Sequence, residues 1–77
     1  MGERLPVISG REAAAALFKL GFELHPNRGK GSHLALWKEG LGRPLIVPDH
    51  KELDRGTLMS IIRSSGVSKE DFIASLA

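Results

Sequence analysis

Hydrophobic and polar positions follow a helical period at the two ends of the chain and an alternating period in its middle. Between residues 9 and 20, apolar side chains recur every three or four positions, which is typical of an amphipathic helix. Ser9 followed by Glu12 fits a capping box, in which each side chain binds the other residue's backbone N–H. Gly21 suits the left-handed position that ends a helix, with Phe22 packing back on Leu17. The pattern therefore predicts a first helix that starts at Ser9.

Three short segments with alternating polarity follow this helix. Residues 22–25 and 32–38 alternate apolar and polar side chains, and a glycine-rich turn separates them. Residues 44–48 form a β-branched run bracketed by prolines, which favours a strand at a sheet edge. This predicts three antiparallel strands, with Leu34 on the apolar face of the second strand and its other face open. His33 and Trp37 should lie on that open face.

The last third of the chain returns to helical spacing. Asp54 fits the N-cap of a second helix that ends at Gly66, and Ser68 fits the N-cap of a short third helix. Apolar residues flank each start in the arrangement of a hydrophobic staple. The predicted order is α-β-β-β-α-α. Because one face of each strand is consistently apolar, we expect an α+β fold with a three-stranded antiparallel sheet and helices on one face.

Length and composition limit the classes of protein to consider. The chain has 77 residues, so we expect residues 1–77 to form a single domain. It has no cysteine, which excludes disulfides, thiolate zinc sites and cysteine nucleophiles. The N-terminal residues do not resemble a signal peptide, and no apolar run is long enough to span a bilayer. We therefore expect a cytoplasmic protein with no membrane partner.

The distribution of charge is more informative than its sum. Eleven basic and nine acidic residues give a net charge of +2, which does not by itself indicate a nucleic-acid partner. The segment 25–38, however, carries Arg28, Lys30 and Lys38 and contains no acid. The predicted strand-turn-strand segment is therefore the most basic part of the chain.

His33 is the most plausible catalytic group in this segment. Its unperturbed pKa near 6.5 allows an imidazole to act as base or acid at neutral pH. RNA cleavage needs a base for the ribose 2′-OH, an acid for the leaving oxygen and cations for the phosphate charge. His33, Lys30 and Arg28 would supply one titrating group and two cations. The residues alone are equally compatible with a surface histidine in a turn.

Trp37 and His50 are further candidates. Trp37 is the only tryptophan, and an exposed aromatic side chain either stacks on a base or contacts a partner. A shift of the register by one residue would instead bury it in the core. His50 lies in the loop before the second helix, where it could bind phosphate or only hydrogen-bond the backbone. The spacing of the histidines does not match a metal site, so we expect no metal and no cofactor.

Several motifs together resemble a known family. PVISGREAAAALFKLGFEL, KGSHLALWK and PLIVPDHKELDRGTLMSIIRSSGVSKEDF are similar to the HicA (YcfA-like) toxins of bacterial toxin–antitoxin pairs. The resemblance runs from about Leu5 to Phe72. Its most specific parts are, in order, Gly21-Phe22, Gly31-Ser32-His33, Pro48-x-His50 and Gly56-Thr57-Leu58.

The resemblance implies a function and a set of site residues. It implies a metal-independent endoribonuclease that cleaves mRNA, with a fold like a double-stranded-RNA-binding domain and a HicB-like antitoxin as partner. The catalytic histidine of the Gly-Ser-His motif corresponds to His33. The expected RNA-binding residues are Arg28, Lys30, Ser32, Trp37 and His50. Asp49 departs from the basic or neutral residue expected next to His50.

Two alternatives remain open from the sequence. The same fold also serves as a plain RNA-binding module, so the chain could be a non-catalytic RNA-binding or protein-interaction domain. The antitoxin, if there is one, could act by covering the open sheet face. The cleavage specificity and the oligomeric state do not follow from these residues.

Overall fold

The computed structural model describes residues 5–25 and 33–76 and confirms the predicted order of elements. The predicted turn between the first two strands and the start of the second strand, with Arg28, Lys30, Gly31 and Ser32, lie outside the described residues. The helices and strands are α1 (Gly10–Lys19), β1 (Glu23–Leu24), β2 (His33–Trp37), β3 (Leu45–Pro48), α2 (Arg55–Ser65) and α3 (Lys69–Ser75).

Both ends of α1 form as the sequence predicts. The Ser9 hydroxyl accepts a hydrogen bond from the backbone N–H of Glu12 at 3.0 Å, and Glu12 Oε1 accepts one from the Ser9 N–H at 2.8 Å. At the other end Gly21 has a φ of 102°. The Phe22 N–H donates to the Leu17 carbonyl at 3.0 Å, which is the 6→1 bond of a Schellman motif. These bonds satisfy backbone groups that the helix ends would otherwise leave without partners.

The three strands form one antiparallel sheet in the order β1-β2-β3, so β2 is central and β3 is an edge strand, as predicted. Leu36 pairs with Leu24 on one side and with Leu45 on the other. Leu36 and Leu45 are buried, whereas Leu24 is 50% exposed although its register places it on the same face. Alternation correctly predicts the face of Leu24. It does not predict burial, because Leu24 lies on the two-residue edge strand β1.

The hydrophobic core lies on the face of the sheet that carries Leu36, and the helices cover that face. α2 and α1 both contact β3, and α3 contacts α1. The fully buried side chains include Leu17, Leu36, Leu58 and Phe72. A single layer of helices on a three-stranded sheet is therefore the observed architecture, in agreement with the α+β prediction.

The starts of α2 and α3 are also capped by the predicted residues. The Asp54 carboxylate accepts from the Thr57 N–H at 3.3 Å and from the Thr57 hydroxyl at 2.6 Å. These hydrogen bonds lower the pKa of Asp54, because they stabilise its ionised form. Ser68 caps α3 through the Asp71 N–H at 3.0 Å, and Gly66 ends α2 with a φ of 80°.

One close contact joins α1 to the loop after β3. The Gly10 N–H donates to the His50 carbonyl at 2.9 Å. A Cβ on Gly10 would lie 1.8 Å from the carbonyl oxygen of Pro48. Since any side chain would overlap the loop, glycine is required at this position by packing rather than by backbone conformation.

Candidate functional site

The face of the sheet opposite the helices, here called the open face, carries the predicted site residues that the structure describes in the strands. Side chains on this face come from alternate positions of each strand, and cross-strand pairs share a face. Its members, from the register, are Glu23 and His25, then His33, Ala35 and Trp37, then Ile46 and Pro48. The open face therefore combines imidazole, indole and aliphatic groups.

His33 begins β2 and is exposed, as the alternation predicts. Its cross-strand partner is Pro48, which is only partly buried. The backbone of His33 is held in the ladder while its imidazole is accessible to solvent. This geometry permits proton transfer to a bound substrate, although it does not by itself assign the residue a catalytic role.

Trp37 ends the same strand, four residues from His33 and about 13 Å along it. It pairs with Glu23 and is 39% exposed, so the predicted register is confirmed and the core placement is excluded. The ring of His25 contacts it edge-to-face, with centroids 6.2 Å apart and planes at 82°. The indole is therefore held in position and remains accessible.

Ala35, between His33 and Trp37, is buried although it lies on the open face. His25 binds its carbonyl through a 2.8 Å backbone hydrogen bond, and Ile46 pairs with it on the other side. The small central residue leaves a shallow floor between the two ends of β2.

The loop after β3 is fixed by contacts to α1. The Asp49 carboxylate accepts two hydrogen bonds from Arg11 Nε and one from Arg11 Nη2, at 3.1 to 3.3 Å. The hydrogen bonds, and secondarily the negative charge of Asp49, raise the pKa of the Arg11 guanidinium. Because Asp49 is engaged by Arg11, its negative charge next to His50 is partly neutralised. Sequence reasoning identified Asp49 as unusual but did not predict its partner.

His50 and His33 do not share a cavity in the part of the chain that the structure describes. His50 lines a shallow cavity of about 290 Å³ at the start of α1, with Ser9, Arg11, Asp49 and Lys51. A larger open groove of about 810 Å³ lies between β3 and α2. Its described lining includes no histidine, so the largest concavity is not where the candidate chemistry lies.

The remaining predicted contacts are not placed. Arg28, Lys30 and Ser32 fall outside the described residues, so their roles stay predictions. Within residues 5–25 and 33–76 no three His, Cys, Asp or Glu side chains are grouped as metal ligands would be. The expectation of metal-independent chemistry is not tested by that finding.

Comparison with known proteins places the chain in a family. The model of the family described as "HicA toxin of bacterial toxin-antitoxin" matches residues 10–67. The chain belongs to the HicA toxin family. The match spans α1, all three strands, α2 and the Gly-Ser-His motif, which covers most of the chain. HicA membership identifies the protein as the toxin of a toxin–antitoxin system. No curated protein matches the chain.

The helices also bear on the expected location of this HicA protein. None of those described is long and apolar enough to cross a membrane. The cytoplasmic location itself stays a prediction.

Two neighbours of the site were not predicted as functional. His25 was correctly expected on the polar side of β1, and its alternation with Trp37 was the signal that could have paired them. Arg43, in the connection between β2 and β3, lines a small cavity with both aromatic residues. No sequence pattern distinguishes Arg43 from an ordinary turn residue.

Proposed function

We propose that this HicA protein is an endoribonuclease that cleaves mRNA, that His33 is its general base or acid, and that a HicB-like antitoxin neutralises it. The observation that carries the proposal is the exposed position of His33, the histidine of the Gly-Ser-His motif, on the open face of a HicA-family chain. An accessible imidazole on a rigid strand suits proton transfer better than one in a mobile turn.

The chemistry requires one proton to leave and another to arrive. The ribose 2′-oxygen loses its proton to a base and attacks the adjacent phosphorus. The P–O5′ bond breaks and an acid protonates the leaving 5′-oxygen, giving a 2′,3′-cyclic phosphate and a 5′-hydroxyl end. Neutral His33 performs the first transfer, or its protonated form performs the second. The complementary group would be a second side chain or water, and His50 is the nearest candidate along the chain.

Binding of the RNA backbone is assigned to the basic turn. Arg28 and Lys30 supply positive charge for the phosphates and for the charge that develops in the transition state. Ser32 would add a hydroxyl hydrogen bond, and His50 a further phosphate contact. Trp37 provides a surface for base stacking at the other end of β2.

The decisive test compares purified wild-type protein with the His33→Gln and His33→Ala variants. Because His33 is exposed, both variants should keep the wild-type circular dichroism spectrum and unfolding temperature. We expect loss of mRNA cleavage in vitro and of growth inhibition in cells, by a factor of roughly 10² or more. Arg63→Gln, an exposed change on α2, is the matched control and should leave both unchanged. Undiminished cleavage by a folded His33→Ala protein would refute the catalytic assignment.

The alternative is a non-catalytic RNA-binding or protein-interaction domain. It is favoured if the wild-type protein binds RNA without turnover, or prefers double-stranded RNA. In either case the Arg28→Gln and Lys30→Gln variants should weaken RNA binding and reduce its salt dependence, by a slope of roughly 0.7 per phosphate contact on a single strand. Cleavage measured in the same tubes separates the two functions.

The antitoxin would act by covering the open face. Trp37 and Ile46 are both on that face and are 39% and 47% exposed, which gives a partner apolar surface to bury. A Trp37→Glu variant should therefore bind a HicB-like antitoxin at least tenfold more weakly. Unchanged affinity in a titration with the antitoxin would place its binding site elsewhere.

A further inference from the structure

A small cavity adjoins Trp37 at the end of the open face, remote from His33. Its volume is about 200 Å³, below the range of roughly 300–1,000 Å³ that is typical of sites for drug-sized ligands. Trp37 and His25 form one side, and the connection between β2 and β3 forms the other. The cavity therefore suits one planar ring system rather than a larger molecule.

The aromatic side of the cavity is already organised. The His25 ring meets the indole of Trp37 at 82°, so His25 occupies at most one face of the indole. Trp37 is 39% exposed, which leaves a stacking surface accessible. A ring held by a neighbouring ring loses less side-chain entropy when a ligand stacks on it.

The opposite side consists of a turn with accessible backbone and a cation. Gly40 and Gly42 have φ values of 92° and 93°, and a Cβ on either would meet no atom within 4 Å. The Leu41 N–H donates to the Lys38 carbonyl at 3.1 Å, which closes the turn. Arg43 is exposed at the rim, where its guanidinium can contact a phosphate or the edge of a base.

We propose that this cavity binds one unstacked base of single-stranded RNA, with Trp37 as the stacking platform and Arg43 as the polar contact. The inference rests on the proposed ribonuclease function and extends it to substrate selection. His33 and Trp37 lie about 13 Å apart along β2. The bound base is therefore a flanking base, not the one at the cleaved bond, and the cavity influences which sequences are cut.

The only tryptophan of the chain makes this binding directly measurable. The probe is a set of four 2′-O-methyl tetranucleotides, one for each base, which the protein cannot cleave. Stacking should quench Trp37 fluorescence in a saturable manner, and the four probes should differ in Kd. Arg43→Gln should weaken binding several-fold, and Arg63→Gln, which removes an equal charge from α2, should not.

Trp37 variants need a readout that does not use their own fluorescence, so binding of fluorescein-labelled probes is followed by polarisation. Trp37→Leu should weaken binding roughly tenfold or more, and Trp37→Phe should recover much of the loss, because stacking requires an aromatic ring. Circular dichroism confirms that each variant is folded. A Trp37→Leu protein that binds as tightly as wild type would overturn the proposal, as would probes that quench nothing at saturating concentration.

The outcome is separable from that of the ribonuclease proposal. If the wild-type protein cleaves RNA and His33→Ala does not, but the Arg43 and Trp37 variants cleave all sequences with unchanged KM, the cavity is not a base site and the enzyme assignment stands. If no RNA is cleaved but the probes still quench Trp37 and discriminate bases, the cavity binds bases and the catalytic proposal fails.

Discussion

Replacing Gly10 by alanine should destabilise the fold, against the usual effect of this substitution in a helix. A glycine inside a helix costs roughly 0.5–1 kcal/mol relative to alanine, so Gly→Ala normally stabilises. At Gly10 the new Cβ would lie 1.8 Å from the Pro48 oxygen and 2.9 Å from the Pro48 carbonyl carbon. Both are backbone atoms, so no side-chain rotation relieves the overlap.

The size of the effect follows from the distance to be made up. Carbon and carbonyl oxygen approach to about 3.3 Å in close contacts, so α1 and the loop would have to separate by about 1.5 Å. Overpacking of this kind typically costs about 1–3 kcal/mol. The movement also stretches the 2.9 Å hydrogen bond from Gly10 to His50, which is worth about 1 kcal/mol more. We expect a net loss of about 2 kcal/mol and an unfolding temperature lower by about 10 °C.

Thermal and urea unfolding, followed by circular dichroism, measure this loss. Gly56→Ala is the matched control, because Gly56 is in the first turn of α2 and its Cβ would meet only the Asp54 Oδ2 atom at 3.4 Å. That variant should be stabilised by about 0.4–1 kcal/mol. If Gly10→Ala is as stable as wild type, or is stabilised like Gly56→Ala, the close packing of α1 on the loop is wrong.

Three further predictions concern the helix ends. Ser9→Ala removes one half of the capping box and should lower the free energy of unfolding by about 1 kcal/mol in urea titrations; no change would mean that Glu12 alone satisfies the helix start. Gly66→Ala should cost about 1 kcal/mol, because its φ of 80° is unfavourable for alanine, and an unchanged midpoint would contradict this geometry. The folded state lowers the pKa of Asp54, so its ionised form stabilises the fold above the usual carboxyl pKa and this contribution is lost as the pH falls through the folded value. Wild type should therefore exceed Asp54→Asn in stability at neutral pH and lose that advantage in acid, and a pH-independent difference would exclude the ionic cap.

The fold could be predicted from the sequence because its local signals agree with each other. Ser9, Asp54 and Ser68 were each identified as N-caps, and each accepts the expected backbone hydrogen bond. Alternation in β2 correctly assigned its two faces. The exposure of Leu24 was not predictable, because alternation gives the face of a residue but not whether another element covers it.

Contacts that join distant parts of the chain left no local signal. The close approach of Gly10 to Pro48 spans the whole sheet, and the Arg11–Asp49 ion pair links residues 38 positions apart. Neither arises from a periodic pattern or a turn motif. The cavity beside Trp37 was only half predictable, because alternation places His25 and Trp37 on one face but does not place Arg43 next to them.

The division of the sheet into two faces explains why function and stability should separate in this protein. The main hydrophobic core consists of side chains on the helix-covered face and from the helices themselves. His33 and Trp37 are absent from that core, and the buried Ala35 on the open face is not part of it either. Substitutions of exposed side chains on the open face therefore remove little buried apolar area, and their effect on stability should be small. A large loss of activity from such a change, without a shift in the unfolding temperature, would have to come from the chemistry or the binding of RNA.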